Sequence, residues 1–160
     1  MSAARHDERK RAGFSVLELL IVISVAVLMS GIAFPLWASS QHRLNARSAQ
    51  SVFVSMQRRA RVLAVERGES VRFNVSFPGD SVWITSSTGT EESMSLQREF
   101  DADITPASGT DTGEHWICMG PRGFASRTCN SFSGTQEMVF TVGSHEERVR
   151  VLPLGQVEIL

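Results

Sequence analysis

The sequence has few of the residues and motifs from which enzymes and cofactor sites are built. Its 160 residues include only two cysteines, too few for a disulfide-rich scaffold or a four-cysteine zinc site. Positive charge is not in excess, because 16 basic residues face 17 acidic ones, and this excludes a generally cationic nucleic-acid binder. The sequence has no phosphate-binding loop, no zinc-protease motif and no nucleophile elbow. We therefore expect one domain of ordinary size that is not an enzyme and needs no cofactor.

Charge is almost absent from one long segment near the N-terminus. Residues 14–34 contain a single ionisable side chain, Glu18, and a cluster of basic residues between positions 5 and 11 precedes them. A helix of this length would span about 31 Å, close to the hydrocarbon thickness of a bilayer. The basic cluster predicts that the N-terminus stays in the cytoplasm and that the rest of the chain crosses the membrane.

Two ordinary explanations of this segment are incomplete. A secretory signal peptide has a shorter apolar core, of about 7–15 residues, and ends at a small-residue cleavage site. Here the apolar run leads instead into Pro35, Leu36 and Trp37. A plain membrane anchor explains the length and the charge bias. It does not explain Glu18, because a carboxylate inside a membrane costs about 2.5–3.5 kcal/mol and usually indicates a partner or a function.

The segment around Glu18 resembles a processing signal of bacterial filament proteins. Residues 13–22 read GFSVLELLIV, which closely resembles the class III signal of type IV prepilins and pseudopilins. The resemblance implies that a prepilin peptidase cleaves between Gly13 and Phe14 and that Phe14 is then N-methylated. It also implies that Glu18 pairs with the new amine of a neighbouring subunit during filament assembly. Such a pair is strong in apolar surroundings, because the alternative is an unpaired buried charge.

This resemblance divides the chain into three parts. Residues 1–13 are expected to be a cleaved leader, residues 14–35 a transmembrane helix segment, and residues 36–160 a periplasmic head that includes the second half of the helix. The protein would then cross the bacterial inner membrane once before it enters a filament. Its expected partners are other pilins or pseudopilins, the peptidase and membrane lipid. Gly31 and Pro35 predict a kink, since proline removes a helical hydrogen bond, and the helix is expected to continue beyond it.

The segment after the apolar run has the pattern of an amphipathic helix that ends at Gly68. Residues 36–67 contain no glycine or proline, and one apolar stripe is predicted to face the head. Its members are Ala49, Val52, Phe53, Met56, Ala60, Leu63 and Ala64. Four arginines fall together on roughly the opposite side of the helix: Arg43, Arg47, Arg58 and Arg61. This arginine row is either a solvated face or a contact surface for acidic groups of neighbouring subunits.

The end of this helix narrows the resemblance. Residues 60–71, ARVLAVERGESV, resemble the helix end of the GspH/FimT family, which comprises H-type pseudopilins and FimT/FimU-type minor pilins. The resemblance implies an α+β fold, with the long N-terminal helix packed on a mainly antiparallel β head. It also implies a structural subunit of a type II secretion pseudopilus or a type IV pilus, which supports protein secretion or pilus assembly.

Alternating apolar residues predict the strands of the head. The predicted strands are 71–77, 81–85, a weaker one at 94–100, 116–119, 138–142, 149–151 and 157–159. The polar segments 86–92 and 101–114 are predicted to be loops. These strands would form two antiparallel sheets, or one curved sheet, packed on the helix.

The two cysteines allow three arrangements. In an oxidising periplasm a disulfide between Cys118 and Cys129 is favoured, and it would add about 3 kcal/mol to the free energy of unfolding. A metal site built from these cysteines with His115 and His145 is a weaker alternative, because spacing defines only part of the ligand set. The third arrangement is two free thiols.

A DNA-binding minor pilin for natural transformation is the alternative function. Members of that kind resemble one another in a C-terminal Gly-Arg-x-Arg motif, whereas this chain reads GQVE at residues 155–158 (Gly155, Gln156, Val157, Glu158). Arg148 and Arg150 alone would form only a small basic face, and two arginines bind phosphate weakly. DNA binding is therefore disfavoured.

Overall fold

The computed structural model describes residues 15–109, 113–126, 128–132 and 134–160, and of residues 31–36 it describes only the backbone. The chain divides into two compact units, residues 1–38 and residues 39–160. The elements, in chain order, are α1 (Val16–Arg67), β1 (Val71–Ser76), β2 (Ser81–Ser86), β3 (Gly89–Ser95), α2 (Leu96–Phe100), β4 (Asp103–Pro106), β5 (Glu114–Met119), β6 (Gln136–Val142), β7 (His145–Val151) and β8 (Val157–Ile159).

Helix α1 follows the predicted pattern. It continues beyond Pro35, as expected, and ends where Gly68 adopts the left-handed conformation with φ +66°. Glycine does so without the steric cost that a Cβ atom would add, so it can terminate a helix. The predicted apolar stripe is confirmed. Its buried members are Ala49, Phe53, Met56, Ala60 and Ala64, while Val52 and Leu63 are half-buried and pack against the core.

The head contains two four-stranded antiparallel sheets. The first has the strand order β3-β2-β1-β5 and the second has the order β4-β6-β7-β8. Phe53 of α1 lies between them, with its ring centroid 5.1 Å from Phe73 of β1 and 5.4 Å from Phe140 of β6. Both contacts are edge-to-face, which aromatic rings prefer. The predicted α+β arrangement is therefore confirmed, in its two-sheet form.

Three local predictions for the head are wrong. Of the weak strand predicted at 94–100, only residues 94–95 belong to a strand, the end of β3, and residues 96–100 form helix α2. The helix forms because the Ser95 Oγ accepts a hydrogen bond from the Arg98 amide and Asp101 ends it in the left-handed conformation. The predicted loop 86–92 contains most of β3, an exposed edge strand that pairs with β2 through its backbone and needs no apolar face. The predicted loop 101–114 contains β4, which forms because Ile104 is buried and pairs with Phe140.

Candidate assembly surface

The first part of α1 is an apolar helix with exposed side chains. Every Val, Leu, Ile and Met side chain between Val16 and Met29 is at least 47% exposed. Helices that are apolar on all sides are normally buried, so this segment has the composition of a surface that another apolar phase covers. Over the residues that the structure describes, no helix meets the length and hydropathy of a membrane span. The transmembrane segment at 14–35 therefore stays a prediction.

Glu18 is the only ionisable side chain on the described part of this segment, and it lies in the first turn of α1. The Ser15 Oγ accepts a hydrogen bond of 3.3 Å from the Leu17 amide, which satisfies one of the free N–H groups at the helix start. A carboxylate in this turn is favoured by the positive end of the helix dipole. Gly13 and Phe14, the predicted cleavage junction and methylation site, lie outside the described residues.

Serine hydroxyls inside the apolar segment are satisfied by the helix itself. The Ser24 Oγ donates to the Leu20 carbonyl, and the Ser30 Oγ donates to the Ala26 carbonyl, each at 2.8 Å. These bonds to the preceding turn remove the hydroxyls' need for water, so the segment can lie in apolar surroundings. Gly31 and Pro35 follow within α1, where the side chains are not described, and their predicted kink stays a prediction.

The four arginines of the predicted row fall into two groups: two contact the head, and two are exposed. Arg47 forms a 3.0 Å ion pair with Glu147 of β7, and an Nη2 of Arg61 donates to the Gly155 carbonyl at 2.6 Å. Arg43 and Arg58 are exposed and make no ion pair or hydrogen bond with other residues of the described chain. The row was predicted to face away from the head, but Arg47 and Arg61 bind the head because the row borders the buried face of α1. Only Arg43 and Arg58 remain available to a neighbouring molecule.

Two buried glutamines explain this position of the arginines. Gln50 and Gln57 lie seven residues apart, on the same side of α1 as the row, and are only 5% and 1% exposed. The Gln50 Nε2 donates to the Arg148 carbonyl at 2.8 Å, and the Gln57 Nε2 donates to the Gly155 carbonyl. Sequence reasoning missed both residues, although their spacing was a usable signal.

The backbone conformation and close contacts of Gly155 require a glycine at this position. Its φ is +77°, and a Cβ atom there would lie 2.7 Å from the Met119 Cε and 2.9 Å from the Ala125 Cβ. Its carbonyl accepts the hydrogen bonds from both Gln57 and Arg61. The glycine therefore brings the C-terminal loop against α1.

The arginines of β7 do not form a free basic face. An Nη2 of Arg150 lies 2.6 Å from the Glu137 Oε1, and its Nη1 lies 3.9 Å from the Glu158 Oε2. Arg148 lies 3.3 Å from the Glu146 carboxylate. Each guanidinium is thus near a carboxylate that would repel phosphate, so this strand adds no support to a DNA-binding function.

The two cysteines form a disulfide, with Cα atoms 5.7 Å apart. It ties β5 to the segment that runs along the open edge of that strand, where the Cys118 amide donates to the Asn130 Oδ1 at 2.8 Å. The alternative metal site is not assembled: no group of three metal-ligating side chains occurs among the described residues. His115 and His145 belong to different sheets.

Two carboxyl groups of the head have shifted pKa values. Hydrogen bonds from Arg67, Ser86 and Thr88 lower the pKa of Glu91 to about 2. The Arg67 Nη1 lies 2.6 Å from the Glu91 Oε1, so this pair fastens the β2–β3 hairpin to the end of α1. Burial raises the pKa of Asp80, although its Oδ1 accepts a hydrogen bond from a β4 amide. Sequence reasoning identified neither group, since their partners come from other elements.

Known proteins resemble the chain in fold. No protein-family model and no curated protein sequence matches it. It is similar to the type IV minor pilin FimU of Pseudomonas aeruginosa, with a TM-score of 0.54 and 12% identity over 74% of this chain and 90% of FimU. It is also similar to the minor pseudopilin EpsH from the type 2 secretion system of Vibrio cholerae, with a TM-score of 0.50 and 12% identity over 72% of this chain and 96% of EpsH. The chain thus has the fold of a minor pilin or minor pseudopilin.

Proposed function

We propose that this protein is a minor pilin or minor pseudopilin, a structural subunit of a type IV pilus or a type II secretion pseudopilus. It is held in the inner membrane by α1, with its N-terminus in the cytoplasm and its head in the periplasm, until it enters the filament. A prepilin peptidase removes residues 1–13 and methylates Phe14. The protein is a substrate of that enzyme and performs no catalysis itself.

One observation carries this proposal: an uncovered apolar helix with a single carboxylate precedes a head of the minor pilin fold. A lipid bilayer covers such a helix before assembly, and the helices of neighbouring subunits cover it afterwards. In both surroundings, burial of the Ser24 and Ser30 hydroxyls costs little free energy, because each is hydrogen-bonded to a carbonyl of its own helix. Neither surrounding favours Glu18, so its presence needs a partner.

The amine created by cleavage is the partner that best fits Glu18. Phe14 and Glu18 are four residues apart in the sequence, and the amine of Phe14 is cationic once the leader is removed. A helix cannot easily bring its own first amine to that carboxylate, but the Glu18 of an incoming subunit can reach it. Leaving one member of a buried ion pair alone typically costs about 3–5 kcal/mol, which is a factor of about 100 or more in association.

The first test is processing. The chain is co-expressed with a prepilin peptidase, and the mass of the product is measured. The expected product begins at Phe14, and replacing Gly13 by a bulky residue leaves the precursor uncut, because the enzyme must accommodate this side chain beside the scissile bond. A mature N-terminus at any other residue refutes the assignment of the leader.

The second test separates anchoring from assembly. Glu18→Ala is expected to insert as well as or better than the original chain and to be cleaved, but to be recovered poorly with sheared filaments. Glu66→Ala is the matched control, because it removes an exposed carboxylate from the other end of the same helix. Equal recovery of Glu18→Ala and Glu66→Ala at equal membrane levels would show that Glu18 is not the assembly contact, and a plain anchor would then explain the helix.

A further inference from the structure

We propose that the outer face of the β3-β2-β1-β5 sheet binds a β-1,4-linked glycan chain of N-acetylated sugars. The face consists of Trp83, Asn74 and Trp116 in one row, with Arg72 and Thr85 in the next, and we call it the tryptophan face. The inference does not depend on the filament role proposed above, because it rests on the geometry of one sheet and the cleft beside it.

The sheet register brings the two tryptophans onto one face. Asn74 of β1 pairs directly with Trp83 of β2 on one side and with Trp116 of β5 on the other. Residues that are directly opposite in a sheet point to the same face, and two strand intervals separate these tryptophans by about 9–10 Å. Their strand neighbours Ile84 and Ile117 are buried in the core, so the tryptophans lie on the opposite, outer face.

The row has the composition of a stacking platform. Trp116 is 36% exposed and Trp83 is half-buried. The Trp116 indole N–H donates to the Cys129 carbonyl at 2.7 Å, and the Asn74 Nδ2 donates to the Thr85 Oγ1 at 2.9 Å. Both side chains are thereby oriented before any ligand binds. Flat aromatic rings stack on the apolar C–H faces of sugars, and β-linked chains with equatorial substituents present such faces repeatedly.

A cleft of about 430 Å³ lies beside the row. The Cys118–Cys129 disulfide forms part of its wall. Its polar lining consists of one carboxylate, one guanidinium and four hydroxyls, from Glu69, Arg72, Ser70, Thr85, Ser86 and Ser87. The tryptophans do not line the cleft, which adjoins their row through Arg72, Thr85 and Cys118 of the next row.

Two charged groups of the cleft have unused hydrogen-bonding capacity. The Glu69 Oε1 is buried without a hydrogen-bond donor, and the nearest cation, the Arg67 Nη1, is 3.9 Å away. Its other oxygen already accepts from the Ser87 hydroxyl. Arg72 makes no ion pair or side-chain hydrogen bond with any other residue that the structure describes. A buried acceptor without a donor is costly, so a ligand hydroxyl that donates to Glu69 would bind favourably.

The opposite charges of Glu69 and Arg72 favour an uncharged ligand with hydroxyl groups over an anion. A phosphate would suit Arg72, but it would be repelled by Glu69. Sugar hydroxyls donate and accept hydrogen bonds, so they satisfy both groups without a net charge. Arg72 lies two residues from Asn74 along β1, about 6.6–6.8 Å from the tryptophan row, where it can donate to the carbonyl of an N-acetyl group. The same sugar chain can therefore stack on the tryptophans and place its substituents in the cleft.

The test is a titration of the full chain in a detergent without sugar headgroups. Chitohexaose, cellohexaose and maltohexaose are added in turn, and binding is followed by tryptophan fluorescence and by saturation-transfer NMR of the ligand. Chitohexaose is expected to bind best, cellohexaose more weakly, and the α-linked maltohexaose not at all. Trp83→Ala should weaken chitohexaose binding about ten-fold. Trp37→Ala is the control, because it removes a tryptophan of α1 and should leave the affinity unchanged.

A second variant keeps the proposal testable if Trp83→Ala unfolds the sheet. Arg72→Gln changes an exposed side chain, and it should remove the preference for chitohexaose over cellohexaose while both still bind. The proposal is overturned if no β-linked oligosaccharide binds, if maltohexaose binds equally well, or if Arg72→Gln leaves the preference intact. If no glycan binds, but the Trp83→Ala variant no longer binds a partner subunit that the original chain binds, the face is a protein contact instead.

Discussion

Replacing Gly155 by alanine should loosen the C-terminal loop from α1 more than its small size suggests. The residue has a φ of +77°, and the added Cβ would lie 2.7 Å from the Met119 Cε and 2.9 Å from the Ala125 Cβ. It is also the acceptor for Gln57 and Arg61, so any shift that relieves the clash moves a carbonyl that holds two side chains of α1.

The expected cost has two parts. A non-glycine residue in the left-handed conformation costs about 1–2 kcal/mol. Overpacking of a filled core costs about 1–3 kcal/mol more, and here the Ala125 Cβ belongs to a segment that is itself hydrogen-bonded to the Leu154 carbonyl. We therefore expect Gly155→Ala to lower the free energy of unfolding by about 2–5 kcal/mol.

Gly68 provides a control for the first part. Its φ is +66°, but a Cβ atom there would have nothing within 4 Å. Gly68→Ala should therefore lower the free energy of unfolding only by the cost of the left-handed backbone, about 1–2 kcal/mol. Both variants are unfolded in urea in the full chain, and the transition is followed by the near-ultraviolet circular dichroism of the tryptophans, with equal m-values required for the comparison.

The comparison of the two variants decides whether the reasoning holds. If Gly155→Ala loses no more stability than Gly68→Ala, the close approach to Met119 and Ala125 does not exist in solution. The anchoring of the C-terminal loop through Gly155 would then be refuted, whatever the absolute loss.

Three further predictions concern the head. Removing the Cys118–Cys129 bridge by a double alanine substitution should lower the free energy of unfolding by about 3 kcal/mol, and adding a reductant to the original chain should reproduce the loss in urea. Because the pKa of Glu91 is lowered to about 2 in the folded state, its pair with Arg67 stabilises the fold above about pH 4.5 and loses this effect as the pH falls towards 2. Glu91→Gln should flatten that part of the stability–pH curve, and a curve identical to that of the original chain would refute the pair. Ionisation of Asp80 has the opposite effect on stability from that of Glu91. Burial raises the pKa of Asp80, so its ionised form is disfavoured in the fold. Asp80→Asn should therefore raise the melting temperature at neutral pH, while Asp80→Ala should lower it because the acceptor for the β4 amide is lost.

The edge strand β3 and the short helix α2 show where sequence reasoning fails in this head. Strand β3 (Gly89–Ser95) has no alternation of apolar residues, because one edge and much of both faces meet water. Helix α2 is decided by the Ser95 cap and by the burial of Leu96, and a short segment with both signals also fits a strand pattern. Such elements depend on the strand or the core beside them, which their own residues do not specify.

The sequence by itself determined the features that repeat locally along the chain. The apolar stripe of α1 and the alternating strands β1, β6 and β7 were predicted because their period is a property of consecutive residues. The fold class followed from that order of elements. The signal at Gly13, Phe14 and Glu18 is equally local, and its role in processing and assembly stays a prediction.

Tertiary structure alone decided which distant residues meet. Gln57 and Gly155 are joined only because the C-terminal loop folds back on α1, and Trp83 and Trp116 share a row only because β1 separates their strands. A hydrogen bond or a cross-strand pair between remote residues leaves no period in the sequence, since its partners are chosen by strand order and register. The tryptophan face and the anchoring of the C-terminal loop therefore became visible only in the folded chain.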